Sequence, residues 1–192
     1  MVILLRIGFY EIDITPSPGF PLGGYLERYL NENKATGILN DIFADVIYFD
    51  EDDGLIIISL ETIAVEDKFY KRIYRFVRKH GVRYLILAAT HTHSAPETIL
   101  NFPFFKKFSL KYKRKIEEYL DFLEDKIKLA VEDAVNNVRD EEIYVGRAKV
   151  IGACSSRINP EMDKEGIATV LRFGKRVILH YACHPTVLSA KN

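Results

Sequence analysis

Apolar residues follow two spacings along this chain, and each predicts a different kind of element. Leu55-Ile56-Ile57-Ile58-Ser59-Leu60 and Tyr84-Leu85-Ile86-Leu87-Ala88-Ala89 are short, nearly continuous apolar runs, as expected of strands covered on both faces. Ile42 to Phe49 is also mostly apolar on both faces. Glu51-Asp52-Asp53-Gly54 then supplies a turn, so the run and the strand after it predict a hairpin in the middle of a sheet. Leu4 to Ile14 mixes apolar and polar positions as a strand can. The next stretch, Thr15-Pro16-Ser17-Pro18-Gly19-Phe20-Pro21-Leu22-Gly23-Gly24-Tyr25, cannot extend it, because prolines interrupt the hydrogen-bond ladder. Glu142 to Ile151 resumes a strand, and Ile167 to Phe173 and Arg176 to Ala182 flank Gly174-Lys175 as a further hairpin.

Helical spacing occurs in two places. Phe69, Ile73, Phe76 and Val77 define an amphipathic helix ended by His80-Gly81, where His80 serves the last turn. Ile116, Tyr119, Leu120, Leu123, Ile127, Ala130, Val131, Ala134 and Val138 define a long helix over Ser109 to Val138. The first helix lies between the strands at 55–60 and 84–89, an order that predicts a right-handed crossover and parallel pairing. The expected architecture is therefore α/β: a single domain over residues 1–192, with mixed β-sheets, two of them packed together, and outer helices including the long one near 109–138.

Charge narrows the partners. Lys and Arg number 27, the same as Asp and Glu, so no global field draws nucleic acid. Phe102, Phe104, Phe105, Phe108 and Tyr112 alternate with six basic residues between Lys106 and Lys115. Acidic residues from Glu117 to Asp125 balance these, so the stripe reads as the solvated face of the long helix, with the phenylalanines lining an apolar groove beside a site. No apolar run nears the roughly 18 residues of a membrane span, and the first residues lack a targeting pattern, so no integral membrane contact is expected. Cys154 and Cys183 fit neither a disulfide framework nor a zinc ribbon, and are expected to be reduced, buried and cytoplasmic. Glutamine and tryptophan are absent while Ile, Lys and Glu are abundant, which points to a thermophilic source.

The chemistry gathers at two strand ends. One apolar strand runs into Thr90-His91-Thr92-His93-Ser94-Ala95-Pro96, and another into His180-Tyr181-Ala182-Cys183-His184-Pro185-Thr186. On an extended backbone His91 and His93 point to one side, and alternation places His180, Ala182 and His184 on one face. His91, His93 and His184 supply the three imidazoles of a zinc site, with Glu61 and Glu97 as the nearest carboxylates to fix their tautomers. The alternative is a set of neutral histidines hydrogen-bonded among Thr90, Thr92 and Ser94. Ser94 is not read as a nucleophile, since adjacent strand residues point apart and no Gly-x-Ser-x-Gly elbow occurs. Arg157, in a polar loop, suits an anion or a polarised carbonyl, and equally a plain surface position. Gly23-Gly24 either forms a surface connection or lets backbone approach a ligand or another chain closely, with Tyr25, Arg28 and Tyr29 as rim residues.

Taken together, Ile7-Gly8 through Asp13-Ile14-Thr15-Pro16, Gly23-Gly24-Tyr25, Thr90-His91-Thr92-His93-Ser94 with its proline, and Tyr181-Ala182-Cys183-His184-Pro185-Thr186 resemble the amino-terminal part of the neutral/alkaline ceramidase family and its small bacterial and archaeal relatives. The resemblance implies a zinc-dependent amidase that hydrolyses an N-acyl linkage. It implies His91 and His184 as metal ligands, His93 beside the metal near the substrate, and Arg157 as the site arginine, here preceded by Ser156 where the family has asparagine. The family pattern continues with a later serine nucleophile and distant glutamate and tyrosine ligands, so the chain is similar to the first half or less of a full member. Zinc is the cofactor this resemblance implies, and a small-molecule amide or lipid-like compound the substrate. Either a homo-oligomer or a carboxy-terminal half is expected to complete the site. A non-catalytic ligand-binding or structural protein that keeps the fold is the alternative.

Overall fold

A computed structural model describes residues 3–31, 34–101, 104–156, 159 and 165–191. The elements are β1 (Ile3–Asp13), α1 (Leu26–Asn31), β2 (Phe43–Phe49), β3 (Leu55–Leu60), α2 (Asp67–Lys79), β4 (Tyr84–Ala89), α3 (Lys106–Asn136), β5 (Arg139–Ile151), β6 (Glu165–Phe173) and β7 (Arg176–His180). The fold is α/β, and the strands form one mixed seven-stranded sheet in the order β4-β3-β2-β1-β5-β6-β7. Two packed sheets are not found among the described residues. The chain divides into two compact units, Ile7–Val138 with Pro185–Asn192, and Met1–Arg6 with Arg139–His184, so β1 contributes to both.

The larger unit follows the apolar pattern closely. β2 and β3 are antiparallel and joined at Gly54, whose φ of +69° and amide bond to the Glu51 carbonyl (2.7 Å) make the expected turn. β3 and β4 are parallel across α2, as the crossover order requires. Alternation turns Ala44, Val46, Tyr48, Ile56, Ile58 and Leu60 to one face. Phe69, Ile73 and Val77 of α2 and Ile116, Tyr119, Leu123, Ile127 and Ala130 of α3 bury against them.

α3 begins three residues earlier than its apolar spacing suggests, at Lys106. Its lysines are occupied as a solvated face should be: Lys113 with Glu117, Lys115 with Glu118, and Lys128 with Glu124 and Asp125. Arg72 of α2 reaches Asp121 and Glu124 and ties the two helices. Gly8 is required where α3 meets β1, since a Cβ there would stand 1.8 Å from the Ala134 carbonyl oxygen.

The smaller unit is thinner. β5, β6 and β7 pair antiparallel in sequence, but few of their side chains are buried, chiefly Ile143, Ala168 and Phe173. Two expectations fail here. Cys154 and Cys183 are joined as a disulfide, and neither is buried. The two strand ends meet across 29 positions of sequence, a proximity that local spacing cannot reveal. β7 also stops at His180. A turn comes next, with the Cys183 amide on the Tyr181 carbonyl (3.0 Å), so period-two alternation does not carry from His180 to His184. No described helix is long and apolar enough to cross a membrane.

Candidate functional site

β4 delivers the first histidines to the edge of the larger unit, but not on an extended backbone. The ladder continues through the Thr90 amide, bonded to the Leu60 carbonyl at 2.8 Å, and then His91 takes a φ of +64°. That left-handed conformation is uncommon outside glycine and marks a held turn. The two rings therefore converge by a turn instead of by strand alternation, with centroids 5.1 Å apart at 80°.

The His91 Nδ1 lies 2.7 Å from the Ile63 carbonyl oxygen. A carbonyl only accepts, so Nδ1 is the donor in this bond, and Nε2 is the nitrogen directed away from it and left to face a metal. This orienting partner is a backbone oxygen, where a carboxylate from Glu61 or Glu97 was expected. Glu61 instead accepts the Phe43 amide at 2.8 Å.

Glu97 organises the turn beyond the histidines. It is buried, and its carboxylate accepts the Tyr29 hydroxyl at 2.6 Å and the Thr98 and Ile99 amides at 2.9 and 2.8 Å. Burial pushes its pKa up, and these three bonds oppose that shift. The hydroxyl of Tyr29 also accepts the Gly24 amide at 2.8 Å, which joins the Gly23-Gly24 turn to Glu97.

That turn does make the close approach its glycines permit, and the partner is His93. Leu22 bridges Pro96, and the Glu97 amide bonds the Pro21 carbonyl at 2.8 Å. This lays Gly24, with φ of +91°, against the buried His93 ring, so that a Cβ would sit 2.5 Å from Nδ1. Tyr25 meets the same ring with centroids 4.7 Å apart. Arg28 and Tyr29, expected at a rim, are buried. They belong to α1, a six-residue helix that the apolar pattern did not disclose. Phe105 stacks on Tyr29 at 4.7 Å and Phe108 meets it at 85°, so these phenylalanines pack behind α1.

His184 is exposed and comes after β7 and the disulfide. The chain after it joins the larger unit, where Leu188 accepts the Tyr25 hydroxyl and Ala190 accepts Arg28 Nε at 3.0 Å. His91 and His93 lie in the larger unit and His184 ends the smaller one, and each carries an imidazole able to ligate a metal ion. Arg157 and Phe102 lie outside the described residues.

A cleft of about 720 Å³ in the larger unit is lined by the proline loop, Ile38, Leu39, Leu188, and Thr92 and Ser94 on either side of His93, with no histidine in the lining itself. Its walls mix apolar side chains with hydroxyls and Glu61, the character of a small-molecule site. A second cavity of about 430 Å³, over Arg147, Lys149 and Glu165 on β5 and β6, has no histidine in its lining.

No family model and no curated protein matches the sequence. Solved structures do match the fold. The neutral ceramidase from Pseudomonas aeruginosa superposes with a TM-score of 0.76 at 22% identity, over 97% of this chain and 33% of that one. A ceramidase complexed with C2 superposes with a TM-score of 0.75 at 20% identity, over 97% of this chain and 32% of that one. The chain thus has a ceramidase-like fold and spans about a third of the length of the structures it matches.

Proposed function

We propose that this chain carries part of the active site of a zinc-dependent amide hydrolase of ceramidase-like type, acting on the N-acyl linkage of a small amphipathic molecule. The observation that carries the reading is the His91-His93 pair, aimed by the Ile63 carbonyl and the Gly24 turn, on a fold shared with ceramidases. The donor set fits the metal: neutral imidazoles suit zinc, and His91 has its Nδ1 proton committed to Ile63. His91 and His184 would be the ligands, with His93 beside the metal and Arg157 toward the substrate. When bound, such a metal polarises an amide carbonyl and acidifies water.

The residues of this chain have separable tasks in that reading. Ile63 and the left-handed turn aim His91. The Gly24 backbone and Tyr25 fix the plane of the His93 ring. Ile38 and Leu39, both exposed, receive an apolar acyl chain, while Thr92 and Ser94 bond its polar head. The nucleophile and remaining ligands are assigned to a further polypeptide segment, either a second copy of the chain or a carboxy-terminal portion. A cytoplasmic location in a thermophile stays part of the proposal. There an intracellular disulfide is the known exception to the usual reduced state.

Metal analysis of protein purified without chelators tests the first half of the reading, with about one zinc per site expected and its loss on His91→Ala. Release of fatty acid from N-acyl amides of graded chain length tests the second. Zinc bound without turnover, even after mixing with a carboxy-terminal segment, would leave the non-catalytic binding protein as the answer.

A further inference from the structure

A fully buried arginine lies against the histidine turn without belonging to the ligand set. Arg28 of α1 has no exposed surface, and its guanidinium donates to carbonyls from three separate stretches: Gly23 at 3.1 Å, His93, and Ala190 at 3.0 Å. Taking a cation out of water costs free energy that its hydrogen bonds must offset. An apolar side chain would fill the same space with less penalty. What the guanidinium adds is a planar fork with donors in fixed directions, which neither an apolar residue nor lysine reproduces.

The three acceptors bracket the site. Gly23 precedes the glycine whose backbone lies against the His93 ring, the His93 carbonyl is itself an acceptor, and Ala190 lies in the segment after His184. Tyr25 repeats the pattern. Its ring lies 5.0 Å from the Arg28 guanidinium carbon, it meets the His93 ring, and its hydroxyl donates to the Leu188 carbonyl. Two neighbouring side chains therefore tie the His93 turn to the 188–190 stretch of the larger unit.

We infer that Arg28, with Tyr25 beside it, is a positioning residue of the metal centre: it locks the His93 backbone to the Gly23-Gly24 turn and to the chain after His184, so the donors stand in place before a metal arrives. The inference rests on the metal-centre reading and deepens it, since it assigns what preorganises the site. The role assigned to Arg28 runs through the backbone it holds, not through contact with metal or substrate.

The test uses Co²⁺ alone as the probe and two readouts on the full chain. One is Co²⁺ affinity with its visible absorption band, and the other is the ring ¹H–¹³C signal of His93 in metal-free protein. Arg28→Lys keeps the charge and loses the fork, and Leu123→Ala supplies a remote core control with a comparable or larger loss of Tm. Arg28→Lys is expected to weaken Co²⁺ binding at least tenfold, alter the band and displace the His93 signal, while Leu123→Ala retains wild-type values. Equal behaviour of the two variants would overturn the inference. Should Arg28→Lys fail to fold, Tyr25→Phe removes the parallel tie and is expected to weaken Co²⁺ about threefold with a smaller shift of the His93 signal; wild-type values there would also overturn it. Wild-type protein that binds no Co²⁺ would sink the metal reading separately, and the His93 signal would still decide whether Arg28 holds that residue.

Discussion

The ends of β4 and β7 carry nearly the same sequence chemistry, an apolar strand running into histidine, proline and threonine or serine, yet they are built by different physics. At the β4 end, a left-handed turn, the Ile63 carbonyl, the Gly24 backbone and a buried Glu97 each constrain the histidines. At the β7 end the strand stops at His180 and the histidine is exposed. A disulfide lies on one side of it, and hydrogen bonds to Leu188 and Ala190 on the other. At the β4 end backbone contacts orient the rings, with His93 buried and His91 exposed, whereas the exposed His184 has only tethers on either side. Similar motifs therefore do not imply identical rigidity.

The largest test of that contrast removes each donor in turn. His91→Ala is expected to weaken zinc at least about 100-fold, since it deletes a donor whose orientation is already fixed, and His184→Ala by about tenfold less than that. Calorimetric titration with zinc checks both, and equal losses would mean the two ends are equally preorganised. Next comes the tether itself. Cys183→Ser opens a loop of 29 residues in sequence separation and should lower stability by about 2–4 kcal/mol in denaturant unfolding. It should leave the His91 and His93 ring signals in place. Movement of those signals would show that the β4 end depends on the tether.

A smaller effect is expected at the close approach. Gly24→Ala combines a φ of +91° with a Cβ at 2.5 Å from His93 Nδ1, and should cost about 1–3 kcal/mol while shifting the His93 ring signal alone. Urea unfolding gives the first quantity. The smallest concerns pH. On the sheet of the larger unit, burial first, then the charges of Glu11 and Glu61, raise Asp45 to about 6 from an ordinary 3.8. The folded state then binds the proton more tightly than the unfolded state. The resulting penalty is fully present above about pH 6, shrinks as pH falls, and is gone below about 3.8. Asp45→Asn should stabilise the protein by about 1–2 kcal/mol at pH 7, after allowance for partial solvent screening, and flatten the profile between those values. A stability curve that keeps its slope in the variant would place the titrating group elsewhere.

Much of the fold is legible in the chain, for a physical reason. Period-two and period-3.6 patterns report burial of one face, and burial is what α2, α3 and the strands β2 to β4 share, so their existence and even the parallel crossover are readable. The histidine pair and its distant partner stand out because few side chains offer a neutral nitrogen. α1 escapes such reading because six residues are too short for a period and its two key members, Arg28 and Tyr29, look like surface residues by type. The carbonyls of Gly23, His93 and Ala190 are among the partners that hold the buried guanidinium. The cysteine pairing escapes it for a related reason, since residues 29 apart meet only when β6 and β7 fold back on β5.

By itself, then, the sequence determined the α/β class, the identity of the metal-competent side chains and their place at strand ends, because these arise from local periodicity and donor chemistry. Only the tertiary structure decided that His91 turns left-handed, that its proton sits toward Ile63, that Gly24 meets an imidazole, and that Arg28 holds three stretches of backbone at once. Each of those depends on which backbone groups arrive from far along the chain, and carbonyls and amides are the same in every residue, so no pattern of side chains announces them.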